Sequence, residues 1–141
     1  MKISVLVSFI LVFLFFACQK KIDSTLYRII VVNDSSEKLL VSYKTKAGEE
    51  TIVLDTKEGI NNHTIFREEF KDDLPKWKVE DFKTTLLSIK ISILQGKDTV
   101  KVTHTNWLDF AEWNQYSSED SFFKDIDHNA QLVLDDKKLK K

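Results

Sequence analysis

The strictest constraint in this chain is an alternation. Between residues 85 and 103, Leu87, Ile89, Ile91 and Ile93 alternate with Ser88, Lys90 and Ser92. Successive side chains leave a β-strand on opposite sides, so a period of two describes a strand with one buried and one wet face. Gln95-Gly96-Lys97-Asp98 supplies a turn, after which Val100 and Val102 alternate with Lys101 and Thr103. The stretch reads as a long antiparallel hairpin.

Other segments agree with it. Leu26-Tyr27-Arg28-Ile29-Ile30-Val31-Val32 is rich in β-branched residues and apolar on both parities, as in a strand covered on both faces. The turn cluster Asn33-Asp34-Ser35-Ser36 follows, then Leu39, Val41 and Tyr43 on one parity. These two runs are expected to pair as an antiparallel hairpin. Ala47-Gly48-Glu49 is a turn before a third strand, Thr51-Ile52-Val53-Leu54. Residues 61–81 give mixed signals. Ile65, Phe66, Glu69 and Phe70 fit a helical stripe, Pro75 interrupts, and Trp77-Lys78-Val79 looks extended, so an irregular segment is expected. Trp107, Phe110 and Trp113, spaced by three after Asn106, suggest a helical turn or two. Phe122-Phe123-Lys124 and Ala130-Gln131-Leu132-Val133-Leu134 read as extended. Short strands joined by polar turns define an all-β fold, an antiparallel β-sandwich or small barrel, over residues 26–135. Residues 136–141 read as a frayed charged tail.

With three Gly and one Pro, the turns must be built mainly from Asn, Asp and Ser. Lys and Arg total 21 against 22 Asp and Glu, a balance that gives no basic surface for nucleic acid. The only cysteine is Cys18, so no disulfide can form within the chain. No internal repeat is present.

The first 17 residues have a separate logic. Lys2 is followed by a stretch to Ala17 without charge, its core the run Ile10-Leu11-Val12-Phe13-Leu14-Phe15-Phe16. A basic start, a short apolar run and a small residue at its end make a secretory signal, and the run is too short for a bilayer span. Phe15-Phe16-Ala17-Cys18 resembles a bacterial lipobox. Ala17 and Cys18 match the pattern; Phe15 and Phe16 replace the commoner leucine and small residue, as in lipoproteins of the Bacteroidota. The resemblance implies that residues 1–17 are cleaved and that the Cys18 sulfur carries diacylglyceryl. It also implies an acylated new amino terminus, with palmitate as the expected chain. Several acyl chains hold a protein stably on a membrane where one holds it marginally. Residues 18–25 then form the lipidated cysteine and a polar tether. In that same family acidic residues after the cysteine accompany surface export, so by resemblance Lys20 and Lys21 imply an outer-membrane protein facing the periplasm. Tyr27, Ile29, Val31 and Asn33, with Asp98-Thr99-Val100-Lys101-Val102 later, are similar to small Bacteroidota lipoproteins. That likeness implies a fold and an envelope address rather than a reaction.

Candidate sites are few. His63, His104 and His128 lack the short spacing of a local zinc site and read as hydrogen-bonded structural histidines. Asp125-Ile126-Asp127-His128-Asn129 resembles the start of a calcium loop, but Ala130 stands where that loop needs glycine. A polar turn before a strand is the reading adopted, and no metal or cofactor is assigned. No Gly-x-Ser-x-Gly elbow occurs, lipidation would consume the only thiol, and the carboxylate pairs Glu68-Glu69, Asp72-Asp73 and Asp135-Asp136 lie in polar stretches. These features argue against an enzyme. The aromatics Trp77, Trp107, Trp113 and Tyr116 are the candidate ligand-binding residues, able to stack on a sugar or anchor an interface if exposed. Otherwise the stripe from Trp107 to Trp113 would plug one end of the sandwich. The expectation is a membrane-anchored β-domain that binds an envelope protein or other envelope component, with a carbohydrate- or small-ligand-binding module as the alternative.

Overall fold

The computed structural model describes residues 24–102, 106–119 and 125–139. The expected signal helix, Cys18, His104 and Phe122-Phe123-Lys124 lie outside them. Among the described residues, eight strands form two four-stranded sheets, an all-β sandwich. The first sheet contains β1 (Ser24–Asp34), β4 (Asn62–Phe70), β7 (Asn114–Glu119) and β8 (Asp125–Asp135), in the order β4-β1-β8-β7. The second contains β2 (Leu39–Thr45), β3 (Gly48–Leu54), β5 (Leu86–Gln95) and β6 (Asp98–Lys101), in the order β3-β2-β5-β6. Helix α1 (Val79–Thr85), a 3-10 turn at Phe110–Glu112 and helix α2 (Asp136–Leu139) complete the described elements. No helix among the described residues is long and apolar enough to cross a membrane.

The hairpin of β5 and β6 forms with Gln95 opposite Asp98. Its turn requires a left-handed residue, and Gly96 adopts φ 65° without steric cost. Ile89 and Ile91 face the core as the alternation demands, but Leu87 does not. The pairing of β2 with β5 slips between Lys44 and Thr45, so that Thr45 lies opposite Leu86 and Lys44 opposite Ser88. Leu87 is the extra residue of this bulge and is 47% exposed, while Leu86 takes the buried place.

Two strand pairings differ from expectation. β1 and β2 are not a hairpin but belong to different sheets. Asn33 is the reason. Its side chain is fully buried, donates to the carbonyls of Glu37 (2.7 Å) and Asp55 (2.8 Å), and accepts from the Ser35 amide and hydroxyl. Its backbone amide donates to Asn61 O at 2.6 Å. These bonds fix a corner that carries the chain across the sandwich instead of folding it back in the same sheet. The sheet is also not wholly antiparallel: β1 runs parallel to β8, from Ser24 opposite Asp125 to Asp34 opposite Asp135. Strands distant in sequence need no tight turn, so parallel pairing is open to them.

Residues 61–81 are irregular only over 71–78, which form a loop between a strand and a helix. Residues 62–70 form β4, and Ile65 and Phe66 are both buried because the register with β1 slips between Ile29 and Ile30. That slip destroys the period of two and leaves a pattern that imitates a helix. Helix α1 follows, with Glu80 and Asp81 in its first turn, where carboxylates suit the helix dipole, and Phe82 fully buried. The stretch expected to be a helical turn after Asn106 holds a single 3-10 turn whose N-cap is Asp109, its side chain accepting from Ala111 N at 3.0 Å. Asp125 to Asn129 belong to β8 rather than to a polar turn. Their side chains leave opposite faces of the strand and so cannot converge on an ion. Asp125 accepts from Ser24 Oγ at 2.8 Å and Asp127 pairs with Arg28. The ends of the domain also extend past the expected limits. Ser24 and Thr25 are buried in β1, and Leu139 in α2 is buried, so neither the last tether residues nor the start of the tail is free chain.

The core lies between the sheets. Ile29, Val31, Leu132 and Leu134 come from one, Leu39, Val41 and Ile91 from the other, and all are at most 2% exposed.

Candidate binding pocket

One end of the sandwich is closed by aromatic rings. Phe82 of α1 is their hub, with centroids 4.7 Å from Phe110, 5.0 Å from Trp113 and 6.2 Å from Trp77. Trp107 and Trp113 are buried, and Trp113 Nε1 donates to Trp107 O at 2.8 Å. These two therefore serve as the plug that the spacing of three allowed and present no stacking face to solvent. Tyr116 is 44% exposed on the edge strand β7. It is the one candidate aromatic that stands at the surface, bordering a shallow dent that Trp77 and His128 also line.

Trp77 is different. It is 8% exposed, yet it lines a cavity of about 310 Å³ together with Tyr27, Phe70, Leu74 and Pro75. The register of β1 against β4 sets two of the walls. Thr25 lies opposite Phe70 and Tyr27 opposite Glu68, which brings Tyr27 and Phe70 into edge contact at 5.7 Å. Trp77 meets Tyr27 at 4.9 Å in a similar edge geometry.

The loop of residues 71–78 forms the third wall, and side chains of the sheet hold it. Thr25 Oγ1 donates to Asp72 O at 2.6 Å and accepts from Leu74 N at 3.0 Å. The Tyr27 hydroxyl donates to Pro75 O, and Trp77 Nε1 donates to His128 O at 3.1 Å. His128 Nε2 lies 3.0 Å from Leu74 O. A carbonyl can only accept, so Nε2 carries the proton and Nδ1 accepts from Ser117 Oγ at 2.8 Å. His128 is thus a buried, doubly hydrogen-bonded histidine that secures the loop. His63 lies elsewhere, on β4 opposite Val31.

Charge enters at the mouth. Lys46, from the turn between β2 and β3, is tied to the end of α1 through its amide, which donates to Thr85 O at 2.9 Å. Its ammonium pairs with Glu68 and sits 5.2 Å from the Phe66 ring centroid. Asp81 and Thr84 of α1 also line the cavity. Tyr27 registers this environment. Its phenol is held above its ordinary value of 10.0, first by burial and then by the negative charges of Asp81 and Asp73.

The structure thus brings Trp77 together with Tyr27, Phe70, Lys46, Glu68 and Asp81, none of which the sequence marks as site residues. Tyr27 and Phe70 look like strand positions, and Glu68 looks like solvated charge. Their convergence depends on the β1–β4 register, which one sequence does not display. Among the described residues no group of three metal-ligating side chains occurs. Comparison with protein-family models, curated proteins and solved structures returned no match.

Proposed function

We propose that this chain is an exported lipoprotein whose β-domain binds a chemical group of an envelope component through the Tyr27–Trp77 cavity. In this reading Cys18 carries the lipid, the protein is held on the outer membrane facing the periplasm, and the domain is not an enzyme. The observation that carries the binding role is the cavity itself. It is concave, walled by three aromatic rings and bordered by polar groups, at the small end of ligand sites. All three tryptophans are buried, which argues against a broad sugar-stacking platform, and Trp77 alone of them lines the cavity, which concentrates the role on it. A small ligand or the tip of a larger one fits this geometry better than a flat protein face. The lipid anchor would raise the effective concentration of the pocket at the membrane surface.

Two measurements test the proposal. Cys18→Ala should move the protein from the membrane to the soluble fraction and abolish incorporation of labelled palmitate; persistence in the membrane pellet overturns the anchor. For the pocket, 5-fluorotryptophan labelling gives each of the three tryptophans its own fluorine resonance, assigned by Trp→Phe variants. Envelope components that bind should move the Trp77 resonance. A response confined to Trp107 or Trp113 would place the site elsewhere.

A further inference from the structure

We infer that the cavity accepts an alkylammonium group, with Asp81 as its counter-ion and Tyr27, Phe70 and Trp77 as the walls around its stem. This rests on the cavity being a binding site and names the chemistry it selects. The charges that line it are two carboxylates, Glu68 and Asp81, against a single ammonium, Lys46. Lys46 is already engaged by Glu68. Asp81 pairs with no lysine, arginine or histidine among the described residues. An anion entering here would face Asp81 with Lys46 already neutralised, whereas a cation would meet an unpaired carboxylate.

The aromatic walls point the same way. Ring faces attract cations through their quadrupole, and ammonium groups are the ligands that aromatic boxes with a nearby acid select. The protein demonstrates this pairing at the edge of the cavity, where the Lys46 ammonium lies between the Glu68 carboxylate and the Phe66 ring. Asp81 and the Tyr27, Phe70 and Trp77 rings line the same cavity, so a carboxylate and aromatic rings are both available to an entering cation. The Tyr27 phenol is held above its ordinary value first by burial and then by the negative charges of Asp81 and Asp73. The aliphatic lining of Leu74 and Pro75 suits a short methylene stem.

The full-length protein in detergent, labelled with 5-fluorotryptophan, is titrated with n-pentylammonium, pentanoate and 1-pentanol, which share a stem and differ in charge. The expected result is a saturable shift of the Trp77 resonance with pentylammonium and a response at least about tenfold weaker with the other two. N-acetyl-lysine amide is the arm that distinguishes a polypeptide-borne amine from a free one. A matching shift assigns the lysine side chain as an accepted source, and no shift assigns the free amine; either agrees with the inference once pentylammonium binds.

Asp81→Asn should weaken pentylammonium by about tenfold, since a charged hydrogen-bond partner becomes neutral. Lys46→Met frees Glu68 and should tighten it by about threefold. A gain of affinity cannot arise from misfolding, and loss of an exposed pair costs little stability. Equal or tighter binding of pentanoate or pentanol, or unchanged affinity in Asp81→Asn, overturns the cation inference while leaving the pocket as a site. Silence of Trp77 toward all three probes overturns the binding reading as well.

Discussion

At its C-terminal end β1 delivers Asn33 into a corner where both donors and the acceptor of the side-chain amide are used. At its other end the same strand delivers Thr25 and Tyr27 to an aromatic cluster that holds a loop in place and leaves a cavity beside it. The first end is closed by polar groups that satisfy one another, so nothing remains for a ligand to complete. The second is closed by rings whose shapes do not fill the space, and it holds a carboxylate, Asp81, with no cationic partner among the described residues. Saturation makes a corner; incomplete closure makes the cavity proposed as a site. The two ends should therefore differ in how they fail when altered.

The largest effect is expected at Phe82. Its ring is fully buried and touches Trp77, Phe110 and Trp113, so Phe82→Ala removes the contact that joins the pocket wall to the plug. The expected loss is about 3–5 kcal/mol in denaturant unfolding, the range for a large aromatic truncated in a packed core. Pentylammonium affinity should fall with it. A loss confined to stability would show that the pocket wall stands without the plug, and the aromatic end would then be two units rather than one.

Asn33→Ala comes next. It leaves the Asp55 carbonyl without its side-chain donor and the Ser35 amide without its acceptor, while the Glu37 carbonyl and the Ser35 hydroxyl keep their 3.3 Å bond to each other. The expected cost is about 2–3 kcal/mol, because unsatisfied buried groups lose their full solvation. Ligand affinity should not change, since the corner lies at the far end of β1. Coupled loss of affinity would break the separation between the ends.

The third difference is in alkali. Tyr27 and Tyr43 both belong to the aromatic half, and both phenols are raised above 10.0. Burial is the main cause in each; Tyr43 also donates to Glu50 Oε2 at 2.7 Å. The folded state therefore keeps phenolic protons that the unfolded chain releases. Where the unfolded state binds fewer protons, stability falls as pH rises. Thermal stability should thus be level below pH 10.0 and decline above it. Tyr43→Phe should flatten that decline, and Asn33→Ala should leave its slope unchanged. A decline that survives in the Tyr27→Phe/Tyr43→Phe double variant would assign it to other groups.

How far the sequence revealed these ends follows from the geometry of each. The β5–β6 hairpin was legible because Ile89 and Ile91 keep a period of two and Gly96 marks the turn. The Asn33 turn was legible as a turn, but its direction was not. Whether a corner returns within a sheet or crosses to the other depends on partners such as Asp55 and Asn61, which are remote in sequence. β4 was hidden by its bulge, which buries Ile65 and Phe66 side by side. Helix α1 was hidden by its brevity, since seven residues give too little periodicity to recognise. Of the cavity, Trp77 alone was legible, because a tryptophan in a polar stretch invites attention and a strand tyrosine or a surface glutamate does not.

The smallest effect concerns Leu87, whose place in the alternation marks it as core. The bulge opposite Thr45 turns it outward and gives the buried position to Leu86, which packs beside the aromatic end. Leu87→Ser should change stability by no more than about 0.5 kcal/mol, the range for surface substitutions, because the bulge leaves Leu87 outside the core. The same change at Ile91, where the alternation holds, should be severe. A large loss at Leu87 would mean that the strand runs in the unbulged register, with Leu87 inward and Leu86 outward. In that register the start of β5 shifts relative to α1, and Thr85 no longer meets the amide of Lys46. Without that contact Lys46 would not be held at the mouth of the cavity, so this smallest measurement bears directly on whether the aromatic end has the shape that makes it a site.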